Sequence, residues 1–128
     1  MSEHDEQKAL FDWANSMIAQ GRLPELENMF AIPNGGMRNK AVAAKLKAEG
    51  VKKGVPDIFL AISEPAWNGL FVEMKFGSNT LSTEQKIWKE HLEHYGYRII
   101  ICRSWVEAAR SIVTYLRRDR FDFPEIFE

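Results

Sequence analysis

Two short runs of strand-forming residues, Ile58 to Ile62 and Leu70 to Lys75, flank a reversal-prone segment from Ser63 to Gly69 that contains Pro65, Asn68 and Gly69. β-Branched and aromatic residues favour strands, while Pro, Asn and Gly punctuate them, so this stretch predicts a β-hairpin. A hairpin here constrains the rest of the chain. It returns Glu73 and Lys75, which close the second strand, to the neighbourhood of Asp57, which opens the first. Side chains alternate along a strand, so Glu73 and Lys75 project to one side and Val72 and Met74 to the other. Two carboxylates and an ammonium group then share a pocket. Hard oxygen ligands of this kind suit Mg2+ or Mn2+, which take one or two carboxylates and complete their shell with water and phosphate oxygens. The arrangement points to phosphate chemistry.

Glu-x-Lys alone equally describes a solvent-facing ladder of opposite charges. It is set apart by Pro56-Asp57 at hairpin distance upstream and by the helix start Leu81-Ser82-Thr83-Glu84-Gln85 downstream, which together complete the PD-(D/E)xK nuclease pattern. Further segments carry the likeness across the chain: SEHDEQ, AIPNGG, KGVPDIFLA, LFVEMKFG, LSTEQKIW and HYGYRIIICRS. From Ser2 to about Val106 the sequence resembles the VRR-NUC domain, a nuclease module of that superfamily. The resemblance implies an α/β fold of the restriction-endonuclease-like kind, a mixed sheet flanked by helices.

The resemblance also implies site residues. Asp57, Glu73 and the main-chain carbonyl of Met74 would hold Mg2+ or Mn2+, with Lys75 beside the scissile phosphate. A glutamate near the start of the first helix reaches the metal in this family, and a glutamine one turn later supports it. Glu3 and Gln7 have that spacing, with Glu6 as the rival acid. Gln85 heads an apolar helix stripe and needs a partner when buried; its family counterpart lies beside the catalytic lysine. The Pro33 to Gly36 turn corresponds to a loop near the active site, so Asn34, Gly35, Gly36 and Arg38 are candidate DNA-backbone contacts, with an ordinary turn as the alternative.

At 128 residues, 45% of them hydrophobic and 12% aromatic, the chain suffices for one domain with a substantial core. Its net charge of −1 argues against a histone-like coating protein. The distribution is nevertheless uneven: Arg38, Lys40, Lys45, Lys47, Lys52 and Lys53 face a lone Glu49, whereas the first thirty residues are acidic. Lys45, Lys47 and Lys53 are read as phosphate contacts, against the alternative of a solvated helix face. The single cysteine, Cys102, lies in an apolar run and predicts a buried thiol in a reducing compartment. No stretch is apolar enough to span a membrane, and the histidines lack metal-ligand spacing.

Periodicity predicts a first helix capped by Ser2 and Asp5 and stopped by Gly21, then a strand over Leu26 to Ile32. A helix from Asn39 to Glu49 would turn Val42, Ala43 and Leu46 inward. A further helix after Ser82 would bury Trp88, Leu92 and Tyr95. Tyr97 to Cys102 reads as a central strand because Ile99, Ile100 and Ile101 within it are continuously apolar. A last helix follows Ser104, and the aromatic tail either folds back or covers a partner.

Free-standing VRR-NUC proteins resemble Holliday-junction resolvases. The resemblance therefore implies a homodimeric, structure-selective DNA endonuclease acting on four-way junctions, in the cytoplasm of a bacterial cell or a phage-infected host. The alternatives are a 5′-flap nuclease, a restriction-type nuclease and a non-catalytic nucleic-acid-binding module.

Overall fold

The computed structural model describes residues 2–33 and 39–128. Helix α1, Glu3–Ala19, opens with a reciprocal capping box in which the Ser2 hydroxyl accepts from the Asp5 amide and the Asp5 carboxylate accepts from the Ser2 amide. One side of α1 buries Leu10, Trp13, Ala14 and Met17, at the i, i+3, i+4, i+7 spacing of a single stripe. The chain reverses at Gly21 and passes through a 3-10 turn, Pro24–Asn28, into a three-residue strand β1, Met29–Ala31. The strand is shorter than the sequence pattern suggested. Pro24 has no amide to give a ladder, and the Leu26 amide donates instead to the Leu23 carbonyl at 3.1 Å, so Leu26 reaches the core from a turn.

Strands β2, Ile58–Leu60, and β3, Leu70–Met74, form the expected antiparallel hairpin, with Ile58 opposite Val72 and Leu60 opposite Leu70. Strand β4, Arg98–Cys102, runs parallel to β3, and the sheet order is β1-β2-β3-β4. The fold is thus a mixed four-stranded sheet with helices against it. β4 stands at the edge, not the centre. Its apolar run from Ile99 to Cys102 has a different cause: helices α3, Thr83–His94, and α4, Trp105–Tyr115, both pack against it, so successive isoleucines are at least partly covered without a second strand neighbour among the described residues.

Ile58, Leu60, Leu70, Val72, Met74 and Cys102 join the α1 stripe and Ala108, Ala109, Ile112 and Val113 of α4 in one core. Burying each large aliphatic side chain contributes roughly 1.5–3 kcal/mol. The opposite sheet face carries an aromatic row: Phe59 stacks on Phe71 at 4.4 Å, Phe30 meets Phe59 edge-on at 5.7 Å, and Tyr97 meets Phe71 at 5.6 Å. The tail folds back through a short helix α5, Pro124–Phe127. Phe123 and Ile126 are buried and Arg22 pairs with Glu125 at 2.8 Å, while Phe121 stays exposed.

Two predicted inward faces are only partly covered among the described residues. Helix α2, Lys40–Ala48, is capped by Asn39 as expected but buries no residue, and Val42 is 42% exposed. On α3, Trp88 and Leu92 are half-buried and Tyr95 is 70% exposed, because the helix follows only the edge strand. Among the described residues no helix is long and apolar enough to cross a membrane. Cys102 is fully buried as expected, and burial pushes its thiol pKa up to about 12, which removes thiolate chemistry at neutral pH.

Candidate active site

The hairpin register continues outward from Ile58 and Val72 to set Asp57 across from Glu73. The Met74 amide donates to Asp57 Oδ2 at 2.8 Å, and the Ile32 amide donates to the Asp57 carbonyl at 2.7 Å. Asp57 is therefore held by the strands on either side of it. The Lys75 amide donates to the Cys102 carbonyl at 2.9 Å, which extends the β3–β4 ladder to the lysine.

Glu73 is 3% exposed and is the sole buried charged side chain among the described residues. Gln85 Nε2 donates to its Oε2 at 3.0 Å, while its Oε1, also buried, has no hydrogen-bond partner among the described residues. Gln85 has two tasks: its side-chain oxygen accepts from the Ser82 amide at 2.8 Å in the capping box that starts α3. The family resemblance implies a place for this glutamine beside the lysine; its direct contact is with Glu73, and Lys75 lines the same cleft. Burial, and next the charge of Asp57, push the Glu73 carboxyl up to about 8, against a smaller opposing effect of Lys75.

These groups line a cleft of about 760 Å³, closed on one side by the first turns of α1. Glu3 and Gln7 both face it, and the Glu3 charge adds to the upward push on Glu73. The rival acid is committed elsewhere. Glu6 Oε2 accepts from the Trp105 amide at 2.7 Å and so caps the start of α4. Glu6→Gln is therefore expected to lower stability by about 1 kcal/mol, the usual loss when a helix N-terminus forfeits its carboxylate, as measured by thermal unfolding. Also in the cleft are His4, Lys8 and Phe11, which sequence reasoning missed. The signal was present, since 4, 8 and 11 follow the same helical spacing as 3 and 7.

The basic residues are placed less centrally. Lys45 and Lys47 are exposed on α2, and Lys53 pairs with Glu84 at 3.4 Å. That pairing follows from Gly54, whose φ of +95° and close approach to the Glu84 backbone leave no room for a β-carbon. Asn34, Gly35, Gly36 and Arg38 lie outside the described residues.

A divalent cation fits this donor set. Two facing carboxylates, one with an unpartnered buried oxygen, match the one or two that Mg2+ or Mn2+ takes, and Met74 lies beside them. Among the described residues no three His, Cys, Asp or Glu side chains are grouped to hold an ion by themselves, so Glu3 faces the cleft without joining the pair.

A family model described as the VRR-NUC domain matches residues 4–105. The chain belongs to the VRR-NUC family. A solved structure titled "VRR_NUC domain protein" is 27% identical, covers 91% of this chain and 89% of its own, and superposes with a TM-score of 0.76. No curated protein matches. VRR-NUC membership makes the chain a nuclease-type hydrolase with DNA as its substrate, and it agrees with the PD-(D/E)xK pattern at Pro56, Asp57, Glu73 and Lys75.

Proposed function

We propose that this VRR-NUC chain is a metal-dependent, structure-selective DNA endonuclease that acts on four-way junctions as a twofold dimer. The observation that carries the catalytic part is the buried Glu73 carboxylate, paired across the hairpin with Asp57 and left with one oxygen unpartnered. Once ionised, a buried carboxyl of this kind is costly unless something positive completes it. Asp57, Glu73 and the Met74 carbonyl would hold Mg2+ or Mn2+, which when bound lowers the pKa of a water and offsets charge on the scissile phosphate. Gln85 fixes the Glu73 carboxylate in one orientation through its hydrogen bond. Lys75, half-buried in the same cleft, supplies a fixed positive charge where the phosphate gains negative charge. Glu3 and Gln7 form the far wall and orient the incoming water or the leaving oxygen.

The dimer reading rests on surface left without a covering element among the described residues: Phe30, at the end of the aromatic row, is 48% exposed. A twofold pair would place one site on each of two strands. Exposed Lys45 and Lys47 would contact backbone phosphates.

The test is incubation with a four-way junction, a 5′ flap and plain duplex, each with Mg2+, Mn2+ or chelator. Symmetric nicks in the junction, absent with chelator, are the expected result. Preferential cutting of the flap, or sequence-dependent cutting of linear duplex, would overturn the junction assignment.

A further inference from the structure

A second cleft, of about 620 Å³, lies at the other end of β3 and contains none of the residues described above as catalytic. Its floor includes Leu70 and Ile100, and its walls come from the hairpin turn and from α4. Arg98, Arg110 and Arg117 line it against a single carboxylate, Glu64. The volume is within the usual range for a small-molecule site.

None of the three guanidinium groups forms an ion pair with a carboxylate among the described residues. Arg98 lies 5.7 Å over the Trp67 ring and donates through Nη1 to the Ile99 carbonyl at 3.1 Å. Arg110 spends only its Nε on the Ile126 carbonyl. Arg117 has no side-chain partner among the described residues, and its backbone is unusual. Helices α1, α2 and α3 are followed by Gly21, Gly50 and Gly96 at φ of +69°, +99° and +88°, the ordinary glycine at a helix end. The turn after α4 has the same left-handed conformation, φ +59°, but carries Arg117. An L side chain is disfavoured there, so this position retains a charged group where glycine would fit more easily.

We propose that this cleft is a nucleotide-binding site, in which Arg117 with Arg98 and Arg110 takes a phosphate and the planar base lies against the apolar floor beside Trp67. Guanidinium forks match phosphate oxygens, and the Tyr115 hydroxyl, already donating to the Ile62 carbonyl at 2.6 Å, leaves the arginines as the polar recognition. Both a free mononucleotide and a terminal unit of a nucleic-acid strand present this chemistry.

Calorimetric titration of the full chain in EDTA tests it without involving any bound metal. Adenosine 5′-monophosphate should bind more tightly than either adenosine or inorganic phosphate. Arg117→Gly should weaken that binding about tenfold or more, as loss of a charge-assisted contact does, while leaving the melting temperature unchanged or higher. Glu64→Gln should tighten it. A single-stranded oligonucleotide that displaces the mononucleotide marks a strand as a ligand, and one that does not marks the free nucleotide. No binding, equal affinity in Arg117→Gly, or equal affinity for adenosine or for inorganic phosphate overturns the proposal.

Discussion

Glu73→Ala and Lys75→Ala are each expected to reduce DNA cleavage by about a thousandfold or more, the scale on which removal of one preorganised electrostatic group slows catalysis. The reasons differ. Without Glu73 a cation held as proposed would lose one of two facing carboxylates, and Gln85 Nε2 loses its acceptor, so the site is damaged in composition and in orientation. Without Lys75 the carboxylates remain, and what disappears is positive charge at the scissile phosphate. The fold should survive both changes, since Glu73 is held by Gln85 and not by the apolar core, and Lys75 is half-buried beyond the end of β3. Single-turnover cleavage with matched circular-dichroism melts measures both effects. Wild-type turnover by folded Lys75→Ala would rule out the catalytic assignment. A separate comparison reads the α1 wall: Glu3→Gln should slow cleavage at unchanged stability, the reverse of the pattern expected for Glu6→Gln.

Local chemistry explains which parts of this architecture are legible in the sequence. The hairpin, the Ser2 and Ser82 capping boxes and the pairing of Asp57 with Glu73 depend on residues close together in the chain, where turn and cap preferences act directly. The choice between Glu3 and Glu6 does not, because the Trp105 amide that claims Glu6 lies ninety-nine residues away and reaches it only through the packing of α4 on α1. Apolar runs were informative about burial but not about its source: β4 is covered by helices, so its three isoleucines do not mark a central strand. Periodicity on α2 and at Tyr95 likewise identified faces without determining whether anything lies against them.

The Glu73 carboxyl also makes stability depend on pH in a direction opposite to that of most carboxylates. Its ordinary value is 4.5, and in the folded chain burial, followed by the Asp57 charge, pushes it up to about 8. Between those limits the folded state keeps a proton that the unfolded state has released. Stability contributed by this group is therefore fully present below pH 4.5, is lost as pH rises, and is gone above about 8. Each unit of separation corresponds to about 1.4 kcal/mol, so even a part of this gap lowers the melting temperature measurably. Metal-free protein should melt several degrees lower at pH 8.5 than at pH 5.5. Mg2+ or Mn2+ should restore more of that loss at the higher pH, where it need not displace a proton. The downward shifts of Asp5, Glu84 and Glu125 act below this window, and the Cys102 thiol titrates above it. Comparing wild type with Glu73→Gln cancels what the rest of the chain contributes: the variant's curve should be flatter, and its response to the cation much smaller. If the metal-free melting temperatures of wild type and Glu73→Gln change in parallel across this range, Glu73 does not hold a proton there, and the buried carboxylate is stabilised by its protein neighbours alone.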